Sequence, residues 1–212
     1  EIEFLRKHGV DEDFKKMEYS INQGIWGTSV GGKETLTSNL ALPDEAFPGK
    51  LESHDATVVE LGFVKGELNS INGKSYENAL DAIRMLESVA SKYAIGRDIH
   101  IGDTIIGIKG RVGFQAAAPI LIIKAHHLLE KHTLTKWQIY WKEQISNWYG
   151  MFLHEAMYHE PVMRNIEIFL ENTQVNVTGK VFVKLNPYRF QLQGIESDHD
   201  LMKSGFGDYG ET

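Results

Sequence analysis

The sequence contains no cysteine and only five prolines among its 212 residues. Without a thiol, the chain can form no disulfide, thiolate nucleophile, cysteine-ligated zinc finger or iron–sulfur cluster. It also lacks any apolar run that approaches the roughly 18–20 residues needed to cross a bilayer, and it shows no signal peptide. We therefore expect a cytoplasmic protein with no membrane partner.

Clustered positive charge is also missing. Acidic residues outnumber basic ones, 29 to 22, which gives a net charge of −7 at pH 7. Phosphate backbones bind proteins through clustered cations, so nucleic acid is not an expected partner. Hydrophobic residues make up 42% of the chain and charged residues 24%, as is typical of a soluble, packed domain.

The spacing of apolar residues divides most of the chain into strands and helices. Alternation and β-branched runs predict strands at 57–64, 65–71, 98–102, 104–109, 175–185 and 188–193. Helical spacing predicts helices at 1–8, 75–93 (capped by Ser75), 117–132, 135–159 and 161–172. Because strands and helices are interspersed and the strands form hairpins, we predict an α+β fold, with an antiparallel sheet of hairpins packed with several helices.

Two segments lack such periodicity. Residues 19–56 are rich in glycine and include two prolines, and we predict a long ordered loop, which is usually functional inside a compact domain. Residues 196–212 carry glycine, aspartate, serine and glutamate, and we predict a loose tail.

One predicted helix, 135–159, carries a stripe of large apolar side chains. Its members repeat at spacings of four and three, namely Trp137, Trp141, Ile145, Trp148, Phe152 and Ala156. Such a stripe is typical of a core face or an oligomer interface rather than of a cofactor site.

Three strings resemble known functional motifs but depart from them. Residues 27–34 have Glu34 where a P-loop needs serine or threonine after the lysine. Residues 205–210 spell G-x-G-x-x-G but lie in the predicted tail, without the strand and helix that a dinucleotide fingerprint requires. His154 and His159 are five residues apart, whereas the zinc-protease helix needs histidines four apart.

Three further histidines, His126, His127 and His132, are predicted to lie on a helix surface. The residues therefore predict no metal site and no self-contained set of catalytic residues.

A resemblance to a known family goes further. The string Tyr19-Ser20-Ile21-Asn22-Gln23-Gly24-Ile25-Trp26-Gly27-Thr28-Ser29 is similar to a pattern of the argininosuccinate synthase family, roughly Y-S-x-(D/N)-x-N-(L/I)-W-G-x-S. Residues 88–97 resemble the family's helix end with its GKHGVGR string, 106–111 resemble IGMKSRG, and 124–134 resemble its HAH…LE…TL stretch. Order and spacing agree over roughly residues 5–195.

The resemblance implies a ligase that joins citrulline to aspartate. In the family, ATP adenylates the ureido oxygen and the aspartate amine then displaces AMP, with Mg²⁺ on the phosphates. An N-terminal nucleotide-binding domain carries an SGGLDTS-like loop, and this chain contains no such string. We therefore expect ATP and Mg²⁺ to be bound mainly by a domain that is missing here, and this chain alone to be inactive, with no catalytic residue of its own.

The same resemblance divides the chain into three parts. Residues 1–18 would be the end of a helix and a linker from the missing domain, 19–195 a substrate-binding and oligomerisation domain, and 196–212 a tail. Homo-oligomers, dimers or tetramers, are expected through 135–173. The alternative is a non-catalytic module for oligomerisation or ligand binding.

Two family contacts to citrulline carry over to this sequence, at Ser20 and Ser29. A hydroxyl can donate to a carboxylate and also accept, which suits a small amino acid.

Two others depart from the family, because Gly102 stands where it has glutamate and Phe114 where it has tyrosine. A buried ammonium without a carboxylate partner is costly, so the change favours a substrate with an acylated amine, such as N-succinylcitrulline. Lys109 or Arg111 could then pair with the added carboxylate. Alternatively, Asp103 replaces the glutamate after a one-residue shift of the alignment, and the substrate is plain citrulline.

Overall fold

The computed structural model describes residues 2–10 and 18–203, which form two antiparallel sheets and five helices. The strands are β1 (Ser20–Gly24), β2 (Gly27–Gly31), β3 (Thr57–Val64), β4 (Glu67–Ile71), β5 (Lys74–Ser75), β6 (Arg97–Asp103), β7 (Lys109–Gln115), β8 (Gly179–Asn186) and β9 (Arg189–Glu196). The helices are α1 (Ile2–Lys7), α2 (Ala79–Ala90), α3 (Ala117–Thr133), α4 (Lys136–His154) and α5 (Pro161–Thr173). The predicted α+β class is confirmed, with two sheets where one was expected.

The main core lies between the five-stranded sheet, in the order β5-β4-β3-β8-β9, and helices α2 and α3. Strand β8 alternates strictly, so that Val181, Val183 and Leu185 are buried while the residues between them are not. Leu86 and Leu121 supply the helix side of this core. Full burial of such a side chain stabilises the fold by about 1.5–3 kcal/mol.

Helix α2 begins later than predicted. Ser75 lies in β5, and the cap is Asn78, whose Oδ1 accepts from the Leu80 N–H at 2.8 Å. Helix α3 has no capping side chain of its own, and Glu87 of α2 accepts from the Ala118 N–H at 2.8 Å instead. This bond fixes the start of α3 against α2.

The smaller sheet, in the order β1-β2-β7-β6, corrects the prediction of a loop over 19–56. Residues 20–31 form a β-hairpin that pairs with β7, and only the remainder of the segment is irregular, apart from two short 3₁₀ turns. The prediction failed because these strands are short and glycine-rich, and β2 is held by pairing with a strand more than 80 residues away in the chain. A second core of Val30, Leu42, Ala46 and Phe47 lies against this sheet.

The strand predicted at 104–109 is also wrong. Residues 104–108 form the turn between β6 and β7, closed by the Thr104 N–H donating to Ile108 O at 2.9 Å. The isoleucines that suggested a strand, Ile105, Ile106 and Ile108, are all exposed. The prediction failed here because it rested on apolar composition alone, and these side chains do not pack against a core.

Residues 197–203 are not a loose tail. The Ser197 hydroxyl donates to Thr178 O at 2.6 Å, and Asp200 Oδ1 lies 3.0 Å from His132 Nδ1. Residues 204–212, with the G-x-G-x-x-G string, lie outside the described residues. No helix in the described part of the chain is both long and apolar enough to cross a bilayer.

Candidate functional site

Strand pairing places the four principal site residues on one face of the smaller sheet. Ser29 pairs with Phe114, and Phe114 pairs with Asp98 on its other side. Paired residues project to the same face, and so do residues two apart along a strand. By this alternation Ser20 shares the face with Ser29, and Gly102 shares it with Asp98. We call it the serine face.

The two serines leave their hydroxyls available. Ser29 is half-buried, Ser20 is exposed, and both lie within strands rather than at turns. Neither hydroxyl makes a hydrogen bond within residues 2–10 and 18–203. They can therefore donate to, and accept from, a ligand above the sheet.

Gly102 and Phe114 lie on either side of His100, a residue that the sequence prediction missed. A Cβ at Gly102 would come 3.0 Å from His100 Nε2. The rings of His100 and Phe114 meet edge to face at 6.4 Å between centroids. The alternation of residues 98, 100 and 102 along a strand would have identified His100 as a site residue, because all three share a face.

The three remaining candidates project from the opposite face of the sheet. Asp103 pairs with Lys109 through a salt bridge of 2.6 Å. Arg111 donates to the carbonyls of Glu34, Thr37 and Leu40 at 2.6–2.8 Å and so anchors the loop that follows β2. The structure thus brings Ser20, Ser29, Gly102 and Phe114 together and separates them from Asp103, Lys109 and Arg111.

A groove of about 510 Å³ continues from Phe114 towards α3 and β9. Its walls include Ala116, Ile120 and Phe190, with Asp98 and His100 on the sheet side. The mixture of apolar wall and polar rim is typical of a small-molecule site.

Two of the helix histidines, His126 and His127, belong to a polar network centred on Glu130, which is only 2% exposed. Lys142 of α4 reaches Glu130 Oε1 at 2.9 Å, and the Gln174 amide donates to the same atom at 2.9 Å. His126 Nε2 donates to Gln174 Oε1 at 2.8 Å, and His127 Nδ1 lies 3.6 Å from Glu130. The side chains of His126 and His132 are 21% and 22% exposed, so these residues are half-buried rather than on the helix surface as predicted. Their hydrogen bonds to Gln174 and Asp200, which are distant in sequence, explain the difference.

The network shifts two pKa values. Burial lowers the pKa of His126, and the nearby Glu130 carboxylate and Gln174 only partly oppose this. Burial acts to raise the pKa of Glu130, but His126, Lys142 and Gln174 together outweigh it, so the Glu130 pKa is lowered. Glu130 is therefore held as a carboxylate that ties α3, α4 and the end of α5 together.

Helix α4 buries none of its residues within the described chain. Trp137, Trp141 and Trp148 are 57–63% exposed, so the described residues do not bury this apolar stripe in a core. An apolar groove of about 410 Å³ runs between α4 and α5, lined by Trp148, Phe152 and Phe169 among others. The face is an uncovered apolar surface of the kind that marks an interaction site.

The described residues bring together no group of three histidine, aspartate or glutamate side chains that could hold a metal ion. The P-loop-like string lies on β2 and the turn after it, where Gly32 N and O both bond to the Thr35 hydroxyl. These residues do not fit a phosphate loop, and no step of the chemistry is assigned to them.

Comparison with known proteins identifies the family to which the chain belongs. The family described as the arginosuccinate synthase C-terminal domain matches residues 19–212. The argininosuccinate synthase of Pyrococcus furiosus is 34% identical over 205 residues, covering 95% of this chain and 49% of that protein. Those of Xanthomonas campestris and Methanocaldococcus jannaschii are 30% and 28% identical, over 97% and 100% of this chain. The chain spans about half the length of these relatives.

Proposed function

Since the chain belongs to the argininosuccinate synthase family, as its C-terminal domain, we propose that it serves a ligase of arginine biosynthesis. The ligase joins citrulline, or a citrulline acylated on its α-amine, to aspartate, with cleavage of ATP to AMP and pyrophosphate. The cytoplasm, where ATP and aspartate are available, is its expected location. The observation that carries the proposal is the serine face, where Ser20 and Ser29 lie with Phe114 and their hydroxyls make no hydrogen bond within residues 2–10 and 18–203.

The two serines would hold and orient the ureido substrate. Catalysis of this kind depends on positioning the reacting oxygen and stabilising charge on the phosphates. ATP and Mg²⁺ would be bound mainly by a domain outside this chain, and we expect the chain alone to form no product.

The amine end of the site supports an acylated substrate. Gly102 and Phe114, the two positions that differ from the family, offer neither a carboxylate nor a hydroxyl to an ammonium group; the carboxylate on this face is that of Asp98, which pairs with Phe114 across the strands. Lys109 and Arg111 were candidate partners for an acyl carboxylate, but both point away from the serine face and already have partners. Asp103, the candidate partner of a free amine, pairs with Lys109 on that far side.

Pyrophosphate release by the full-length protein tests this function. Adenylation of the ureido oxygen releases pyrophosphate, so we expect release that requires a citrulline-type substrate and that needs aspartate for sustained turnover. Ser29→Ala should weaken substrate binding by about 1–3 kcal/mol, the cost of one lost hydrogen bond, whereas Ser38→Ala, in an exposed turn, should not. Pyrophosphate release that needs neither substrate would contradict the proposal, and no release with both substrates present would favour the non-catalytic module.

We also propose that α4 and α5 bind a second copy of the chain, giving dimers or tetramers. A surface with three exposed tryptophans beside an apolar groove needs an apolar, self-complementary partner, which another copy supplies.

Light scattering at micromolar concentration should give a multiple of 24.0 kDa. Trp148→Glu should reduce that mass, because it places a charge at the edge of the groove. Leu36→Glu is the matched control, since Leu36 is 87% exposed in a turn outside this surface. A wild-type mass of one chain would show that α4 and α5 do not mediate self-association.

A further inference from the structure

We propose that His100 is a specificity-determining residue that donates a ring hydrogen bond to a carboxylate on the acyl group of the substrate. The ligand class is therefore a citrulline carrying a dicarboxylic acyl group on its amine. This inference rests on the ligase function proposed above and names the residue that would recognise the acyl group.

The first argument is the open space beside the ring. His100 is exposed on the serine face, two residues before Gly102 on the same strand. A side chain at 102 would begin 3.0 Å from His100 Nε2, so glycine leaves this nitrogen uncovered. Within residues 2–10 and 18–203 the His100 ring makes no hydrogen bond.

The second argument is the contact between Phe114 and His100. Phe114 pairs with Asp98, one edge of its ring approaches Gly27, and the ring also meets the His100 ring at 6.4 Å between centroids, with an interplanar angle of 72°. A substrate that reached from Ser29 past the Phe114 ring would meet β6, where Asp98 lies in the same row and His100 lies two residues further along the strand. Both positions that differ from the family thus flank this imidazole.

The third argument is the charge around the ring. Asp98 shares the face and would repel an anionic group on its own side of Phe114. The arginines of β6 and β7 already have partners: Arg97, which also lines the groove, binds Asp44 and Gly49, and Arg111 binds the loop after β2. Among the described side chains that project from the serine face, His100 is the one that can carry positive charge, and histidine can donate as well as accept.

Steady-state kinetics of the full-length protein on three substrates tests the assignment. The substrates are N-succinylcitrulline, N-acetylcitrulline and plain citrulline. His100→Ala should raise KM for the succinyl substrate by roughly 10- to 100-fold, the range for a hydrogen bond to a charged group. It should change KM for the other two by less than about threefold, and kcat should change little.

Two further variants make the result specific. His100→Gln keeps an N–H donor and should recover part of the lost affinity for the succinyl substrate. His54→Ala, at an exposed histidine in the loop before β3, should change none of the constants.

The outcomes separate the two proposals. Wild-type enzyme that ligates none of the three substrates would refute the ligase function, and this inference with it. Wild-type enzyme active only on plain citrulline would overturn the inference and leave the ligase function intact. The same holds if His100→Ala affects all three substrates equally, or none of them.

Discussion

Replacing Gly102 with glutamate and Phe114 with tyrosine in the full-length protein should shift the preference of the proposed ligase by more than about tenfold towards plain citrulline. A carboxylate at 102 would pair with a free ammonium and repel the carboxylate of an acyl group. Removing one partner of a desolvated charge pair costs roughly 2–5 kcal/mol, so creating the pair should have an effect of that order. The His100 ring would have to rotate aside, which its exposure permits.

The ratio of kcat/KM for citrulline to that for N-succinylcitrulline measures this shift. The matched control is Gly102→Gln with Phe114→Tyr, which adds the same volume without the charge. An unchanged ratio in the glutamate variant, with a wild type that already prefers plain citrulline, would show that the substrate amine is not acylated. Asp98, on the serine face, would then be a better placed partner for that amine than Asp103.

Replacing Glu130 with alanine should lower the free energy of unfolding by about 3–5 kcal/mol. The loss arises because Lys142, whose side chain is only 19% exposed, would keep its charge without its carboxylate, and an uncompensated buried charge is strongly destabilising. The Gln174 amide would also lose Glu130 as an acceptor and keep only Thr173 Oγ1. Urea denaturation followed by tryptophan fluorescence measures the change.

An exposed ion pair provides the control for Glu130. Arg84 and Asp81 lie 3.9 Å apart with both side chains at least 60% exposed, so Arg84→Ala should cost at most about 1 kcal/mol. Similar losses for the two variants would mean that the Glu130 network does not hold α3 and α4 together.

The same network sets a direction for the dependence of stability on pH. The folded-state pKa of His126 lies below its ordinary value of 6.5, so the unfolded chain binds the proton more tightly. Stability that is present above pH 6.5 is therefore lost as the pH falls through that value. The lowered pKa of Glu130 acts in the same direction at more acid pH, below its ordinary value of 4.5.

Sequence patterns predicted the elements that bury a periodic face within the chain. The strands now called β3 and β8 and the helices α3 and α5 follow from local alternation and helical spacing. The hairpin of β1 and β2 does not, because its stability comes from pairing with β7, a contact between distant segments. The 104–108 turn shows the converse. Its three isoleucines predicted a strand, but all three are exposed in the structure, so they form no buried face.

The candidate site also depends partly on local sequence and partly on pairing between distant strands. The resemblance identified Ser20, Ser29, Gly102 and Phe114 as candidates, and the pairing of four strands places them on one face. Lys109 and Arg111 could not be separated from that set by sequence alone, because the face from which a side chain projects depends on where each strand begins. His100 was not predicted because it belongs to no recognised motif. Its position beside Phe114 depends on the pairing of β6 with β7.

Transfer of heavy oxygen tests the ligase function most directly. Citrulline, or N-succinylcitrulline, labelled with ¹⁸O in the ureido group would be incubated with the full-length protein, ATP, Mg²⁺ and aspartate. If the ureido oxygen is adenylated and AMP is then displaced by the aspartate amine, one ¹⁸O atom must appear in AMP for each ligated product. Product formed with unlabelled AMP, or AMP formed with the label still in the ureido group, would contradict the proposed reaction.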